Sequence, residues 1–234
     1  MNDTSIRVVL FDIGGVLVEA SGVATLLAWM DDRVSAEELW KMWLTSSTVR
    51  SFETGNLPAE DFAERIVADF HLPILPPEFL REMTHWSVTL LPGAVELIER
   101  IPSRYVRATL CNSNPVHWPR LLRNESLINA FGHHFASHLI GKIKPDEDAF
   151  RYVTNALNCG PEQVLFLDDN ELNVVSASAC GMNAARVKGV REAERALAAF
   201  GVIAEGLSLQ PIVDNVWSAA GLQELSKRAK NQSA

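Results

Sequence analysis

The sequence predicts an α/β fold, a doubly wound parallel sheet carrying an inserted all-helical segment, on three observations. Short apolar runs alternate with helical segments over most of the chain, as parallel strands and their crossover helices do. Residues 19–90 break that alternation and hold no convincing strand. Polar residues of chemical interest gather where the apolar runs end, which is where open parallel sheets place their ligands.

Taken in order, the first strand is 6–12 (IRVVLFD), a run that can only be buried and that closes on one carboxylate, Asp12. The insertion follows, with helix-like periodicity in ATLLAWMDD, SAEELWKMWLTS, PAEDFAERIVADF and PPEFLREMTHWSV. It carries four of the six tryptophans, Trp29, Trp40, Trp43 and Trp86. Strands then fall at 104–111 (RYVRATLC), 133–137 (HHFAS), 163–168 (QVLFLD) and 182–187 (MNAARV). Helices are expected at about 92–101, 115–123, 146–157, 171–180 and 190–200, with start signals at Pro92, Pro115 and the acidic turn at Asp146. The resulting organisation is a Rossmann-like core of residues 1–15 and 91–200, a helical lobe of 16–90, and a C-terminal extension of 201–234. That extension ends in GLQELSKRAKNQSA, an amphipathic helix fraying into polar residues.

Composition narrows the function classes. The 234 residues are 47% hydrophobic, enough for a substantial core. Twenty-nine acidic residues against 21 basic ones give a formal charge of -8, which argues against nucleic acid or an anionic membrane as partner. No stretch approaches the roughly 18 apolar residues a membrane span needs, and MNDTSIR lacks the pattern of a signal peptide, so a cytoplasmic location is expected. Three widely separated cysteines, Cys111, Cys159 and Cys180, point to reduced thiols. A small anionic substrate remains compatible with this charge if cations are placed locally.

Four strand ends carry the candidates. They are Asp12 after the first strand, Cys111, Asn112 and Ser113 after the second, Lys144 beyond the third, and the pair Asp168 and Asp169 after the fourth. A nucleophilic carboxylate, small hydrogen-bond donors, one cation and an acidic pair suited to Mg²⁺ are what phosphoryl transfer through an aspartyl-phosphate requires. Mg²⁺ and Lys144 would neutralise a phosphoryl group that could not otherwise approach three carboxylates. Asp168 and Asp169 diverge if the strand stays regular, and Asn173, a helical turn further on, is placed to orient a carboxylate or a metal-bound water.

On these segments the chain resembles the haloacid dehalogenase-like hydrolase superfamily. FDIGGVL resembles its first motif, TLCNSN its second, SHLIGKIKPDEDAF its third and VLFLDDNELN its acidic fourth. The resemblance implies Asp12 as nucleophile, the Gly14 carbonyl and Asp169 as metal ligands with Asp168 a second or outer ligand, Lys144 as the phosphoryl-binding cation, and a helical cap between the first and second motifs. FETGNLPAEDF, KPDEDAF and DDNELN are similar to the branch with small-sugar phosphatases and the N-terminal phosphatase domain of epoxide hydrolases. It implies a Mg²⁺-dependent hydrolase of small phosphorylated metabolites, phosphate monoesters and sugar 1-phosphates among them.

Two departures stand out. Where phosphatases of this superfamily usually carry a second Asp as general acid and base, this chain has Gly14, and general acid–base catalysis is worth about 10²–10⁴ in rate. Cys111 stands where a Ser or Thr hydroxyl usually binds phosphate, and a thiol is a weak donor. Two alternatives follow. A metal-independent dehalogenase explains the missing acid but makes the acidic pair gratuitous. A binding protein that kept the fold while losing turnover explains both departures. Lys144 is expected to contribute charge to the site and no volume to the core. The sequence leaves the substrate and the oligomeric state open.

Overall fold

A computed structural model describes residues 5–19, 22–31, 33–86 and 89–204. Five strands form one wholly parallel sheet in the order β3-β2-β1-β4-β5: β1 (Val8–Phe11), β2 (Val106–Cys111), β3 (His133–Ala136), β4 (Val164–Asp168) and β5 (Asn183–Arg186). All five runs read as strands from the sequence are strands. The helices are α1 (Gly22–Trp29), α2 (Ala36–Thr45), α3 (Ser47–Glu53), α4 (Ala59–Asp69), α5 (Pro76–Met83), α6 (Ala94–Glu99), α7 (Trp118–Leu121), α8 (Glu125–Asn129), α9 (Ser137–Ile140), α10 (Glu147–Ala156), α11 (Glu171–Ala179) and α12 (Gly189–Ala199).

Strands β1 and β4 are buried along their whole length, which only a sheet covered on both faces allows. Their alternation divides the core in two. Val9, Phe11, Leu165 and Leu167 pack on one face with Leu97 and Ile98 of α6 and Leu197 of α12. Val8, Leu10, Val164 and Phe166 pack on the other with Phe150 and Val153 of α10 and Ala177 of α11. The Phe150 and Phe166 rings meet edge to face at 5.5 Å, and truncating either to alanine should cost about 3–5 kcal/mol.

The register fixes where the site falls. Phe11 pairs with Leu167, and the Asp12 N–H donates to the Leu167 carbonyl at 2.8 Å. The residues that follow, Asp12 and Asp168, therefore leave the sheet side by side. They do so between β1 and β4, where the strand order reverses, the crevice in which doubly wound sheets bind ligands.

The described residues divide into two units, 5–19, 51–57 and 89–204 in one and 22–31, 33–50 and 58–86 in the other. The sheet unit takes more of the chain than its predicted boundary at residue 15. Val16, Leu17 and Val18 are buried in its core, Val18 bridges to Leu90, and the Leu91 N–H donates to Leu17 O at 2.9 Å. Residues 51–57 also belong to it, from the middle of the segment read as a separate lobe. Val202 and Ile203 are buried in the same core, while the expected helix near the C-terminus lies outside the described residues.

Inside the helical unit, α2 starts on a capping box: the Ser35 hydroxyl accepts from Glu38 N–H and the Glu38 carboxylate from Ser35 N–H. Phe62, Phe79, Trp43 and Trp86 form a chain of ring contacts at 6.1–6.3 Å centroid separation, which accounts for much of the aromatic content of this stretch. In the sheet unit the helix expected at 115–123 shortens to α7. The Asn114 side chain accepts from the Val116 and His117 N–H groups and holds a turn there first. No helix among the described residues is long and apolar enough to cross a membrane.

Candidate active site

Asp12 sits one residue beyond β1 and is 8% exposed. Lys144, in the loop between α9 and α10, is 1% exposed. Its ammonium donates at 2.6 Å to Asp12 Oδ1 and at 2.6 Å to Asp168 Oδ2. The same ammonium lies 5.4 Å from the centre of the Phe166 ring. One cation thus bridges the two carboxylates that the sheet register sets side by side.

Asp168 is the most heavily bonded member. Beyond Lys144, it accepts from the Asn170 N–H at 2.8 Å and from the Asn173 amide at 3.0 and 3.1 Å. Asn170 also caps α11 by accepting from Leu172 N–H, so the residues after the acidic pair hold both the helix and the carboxylate. The expected divergence of Asp168 and Asp169 does not occur, because β4 ends at Asp168 and Asp169 has left the strand. Ligand oxygens of Asp12, Asp168 and Asp169 all lie within 4.8 Å of one another.

Two carboxylates share the Lys144 ammonium with a third beside them, and the proton affinities of Asp12 and Asp169 register the crowding. Burial, opposed by Lys144 and reinforced by the charges of Asp168 and Asp169, pushes Asp12 up to about 7. Burial and the Asp168 charge push Asp169 up to about 6. Desolvation works to lower Lys144, but Asp12 and Asp168 outweigh it and hold the ammonium above its ordinary value.

This excess of negative charge is the first reason the residues fit a divalent cation. The second is Asn173 Oδ1, a buried oxygen with no hydrogen-bond partner. Oxygen donors of this kind are what Mg²⁺ selects. Asp12 and Asp169, the carboxylates not tied down by Asn170 and Asn173, would hold such an ion, with Asp168 supporting from behind.

Gly14 and Gly15 differ in what they permit. A Cβ built at Gly14 would meet nothing nearer than Asp12 Oδ2 at 3.9 Å, so the side of Asp12 that faces Gly14 is open. Gly15 has φ +71°, and a Cβ there would overlap the Asp169 carboxylate.

The expected substrate donors are differently employed. The Asn112 amide donates to the Lys144 carbonyl at 2.9 Å and its oxygen accepts from the Lys144 N–H at 3.0 Å. Each end makes one bond to the Lys144 backbone, so Asn112 positions the cation, and its amide keeps a second N–H for the expected substrate role. The Cys111 thiol turns to the Asn112 carbonyl at 3.4 Å, and burial, with the charge of Asp12 next in weight, pushes it far from thiolate. It is poorly suited to hold a phosphoryl oxygen. Ser113 is buried, its backbone held by Ser137, whose hydroxyl accepts from Ser113 N–H at 2.9 Å and donates to Ser113 O at 3.0 Å. Ser137 and Asn170 are positioning residues that the motif reading passed over; each directly follows or nearly follows a strand end, the one signal that marks them.

The burial of Lys144 also overturns its expected independence from the core, since it is among the largest fully buried side chains of the protein. Its removal abandons two buried carboxylates.

A buried aspartate paired with lysine thus stands beside an acidic pair at the reversal point of a doubly wound sheet. The chain belongs to the haloacid dehalogenase-like hydrolases: the sequence model of that family matches residues 6–181. It is 26% identical over 184 residues to a sesquiterpene phosphatase of Aspergillus oryzae, covering 76% of this chain and 88% of that protein. It is 28% identical over 205 residues to an (S)-2-haloacid dehalogenase of Xanthobacter autotrophicus, covering 82% and 78%. Among solved structures, a haloacid dehalogenase-family enzyme of Bacteroides thetaiotaomicron, in complex with magnesium and inorganic phosphate, superposes with a TM-score of 0.60 at 20% identity, covering 79% of this chain and 95% of that one. The fold is thus shared with both phosphatases and dehalogenases, and the choice between them rests on the site.

Proposed function

We propose that the protein is a Mg²⁺-dependent phosphatase of small phosphorylated metabolites, with sugar 1-phosphates among the candidate substrates, working through an aspartyl-phosphate on Asp12. The observation that carries this reading is the gathering of carboxylates: Asp12, Asp168 and Asp169 bring ligand oxygens within 4.8 Å of one another, Lys144 pairs with the first two, and Lys188 offsets only part of the rise at the third. A dehalogenase attacking carbon needs one carboxylate, and a buried Asp168 and a half-buried Asp169 beside it would be a net cost. A metal-assisted phosphoryl transfer uses them.

The ion, held by Asp12, Asp169 and the Gly14 carbonyl, would supply electrostatic stabilisation of charge on the transferring phosphoryl oxygens. The chain's own residues do the rest. Lys144 donates to Asp12 Oδ1 and so fixes the carboxylate with Oδ2 toward the open side above Gly14, which makes Oδ2 the attacking oxygen. Asn112 holds Lys144 by its backbone, and Asn170 and Asn173 hold Asp168 against the same ammonium. The Asp12 oxygen bonds to phosphorus as the ester oxygen leaves, and water then attacks phosphorus and returns the free carboxylate. Gly14 carries no proton donor, so the leaving oxygen must either depart unprotonated or take its proton from another residue.

The reading is tested with p-nitrophenyl phosphate in the presence and absence of Mg²⁺, using wild type and Asp12→Asn. Metal-dependent turnover abolished in the variant supports it. Turnover equal in the two proteins, or none in either while inorganic phosphate still binds, would return the chain to the binding-protein reading. Halide release from a 2-haloacid without metal would establish the dehalogenase.

A further inference from the structure

Glu53 is a buried acid for which the proposed reaction has so far found no use. It is 6% exposed at the last position of α3 and belongs to the sheet unit although the first half of its helix does not. The turn that follows is tightly defined. Gly55 N–H donates to Phe52 O at 3.0 Å and Asn56 N–H to Ser51 O at 2.8 Å, while Phe52 is fully buried. Gly55, at φ +77°, lies so close to α9 that a Cβ would come within 2.5 Å of the His138 carbonyl. Its neighbour Ser137 is bonded to both backbone groups of Ser113, two residues beyond Cys111 at the end of β2. This chain of contacts brings the Glu53 turn to the loops that follow β2 and β3, beside the strand that carries Asp12. Consistent with it, the Cys111 thiol is raised by the charges of both Asp12 and Glu53.

Of the groups at these strand ends, Asp12 and Asp169 are assigned to the attack and to the ion, and the other three are unsuited to moving protons. Lys144 is held as an ammonium by two carboxylates, Asp168 accepts from Lys144, Asn170 and Asn173, and the Cys111 thiol is pushed up by burial. A carboxyl sheltered from bulk water beside the reacting groups is a setting in which general acid–base catalysis operates.

We propose that Glu53 is the acid–base residue of this site, supplying from the α3 turn the proton transfers that Gly14 cannot. Asp12 Oδ2 bonds to phosphorus, the bond from phosphorus to the ester oxygen breaks, and that oxygen takes the proton of the Glu53 carboxyl. The Glu53 carboxylate then takes a proton from water as the water oxygen bonds to phosphorus and the Asp12–phosphorus bond breaks, releasing inorganic phosphate and restoring both acids. The inference rests on the phosphatase reading.

Glu53→Gln keeps shape and removes the transferable proton. Turnover of glycerol 2-phosphate should fall about 10²–10⁴-fold, the range for a lost general acid, while formation of the aspartyl-phosphate from p-nitrophenyl phosphate falls far less. Asp12 phosphorylated by acetyl phosphate should lose its phosphoryl group at least about 100-fold more slowly in the variant. Glu53→Asp, which keeps the acid on a shorter arm, should recover part of both rates, and circular dichroism should show the wild-type fold in each. Equal losses on both substrates would assign Glu53 to holding the fold, and unchanged rates would remove it from the reaction; either result overturns the proposal. Phosphorylated Asp12 with equal lifetimes in wild type and Glu53→Gln refutes Glu53 alone, whereas no phosphorylation of Asp12 by either donor refutes the phosphatase reading and the proposal with it.

Discussion

Replacing Lys144 with methionine should destabilise the fold far more than a change at a site residue ordinarily does. The side chain is 1% exposed and its ammonium lies 2.6 Å from each of two carboxylates, those of Asp12 and Asp168, with side chains 11% and 1% exposed. Methionine fills most of the volume, so the cost is electrostatic: both carboxylates lose their counter-ion inside the protein. Breaking one buried pair costs about 3–5 kcal/mol. A second carboxylate adds to that, but Asp168 keeps the Asn170 N–H and the Asn173 amide, and Asp12, already up to about 7, can take a proton. The net should stay within that same range of about 3–5 kcal/mol near pH 7.5. At roughly 2–4 °C per kcal/mol for a chain of this size, the melting temperature falls by about 6–20 °C. The deficit should shrink toward pH 5, since burial raises the proton affinity of the abandoned Asp12 carboxyl in the folded state, which then binds the extra proton. Adding Asp12→Asn should recover part of the loss. Metal-free thermal melts of the three proteins at the two pH values decide it. A Lys144→Met protein melting within about 2 °C of wild type at pH 7.5 would refute the claim that this triad is electrostatically coupled.

Gly14→Asp should fold like wild type, because the position has an ordinary φ and nothing nearer than 3.9 Å to a new Cβ; placed in a Glu53→Gln background, it should raise turnover of alkyl phosphates more than that of p-nitrophenyl phosphate. Equal gains on both substrates, or a misfolded variant, would count against the account. Gly15→Ala should abolish Mg²⁺ affinity measured by calorimetry, since its Cβ would overlap the Asp169 carboxylate at a backbone angle that disfavours any side chain. Unaltered affinity would remove Asp169 from the metal site. In metal-free buffer the folded protein should lose stability as pH rises from about 4 to 7, because Asp12 and Asp169, up to about 7 and about 6, bind more protons folded than unfolded until those values are passed. Mg²⁺ neutralises the same carboxylates, so its thermal shift should grow over that interval; a shift independent of pH would contradict the assigned site.

The sheet was legible because its strands are short apolar runs with no competing period, and VVLF and VLFL bury every residue. Asp12, Asp168 and Asp169 were legible because each stands where such a run stops. Lys144 was legible as the cation but not as a buried one, since a lysine before proline looks the same in a surface loop; what buries it is the meeting of two carboxylates brought together only by sheet register. The Asn112 amide reads as a substrate donor, whereas its two bonds to the Lys144 backbone are seen only in the structure. The return of residues 51–57 to the sheet unit left no pattern to read. SFETGNL has no strand period, and Gly55 leaves no room for a Cβ beside the His138 carbonyl, a contact without a side-chain signature.

The central claim is that the phosphoryl group passes through Asp12. During turnover of p-nitrophenyl phosphate with Mg²⁺, the protein can be quenched, reduced with borohydride and digested, which converts an aspartyl-phosphate, but not a free aspartate, to homoserine. Mass spectrometry of the peptide spanning residue 12 should then find homoserine at that position, dependent on both substrate and metal. Phosphate released steadily while residue 12 remains aspartate in every quench, with the same rate in Asp12→Asn, would contradict it.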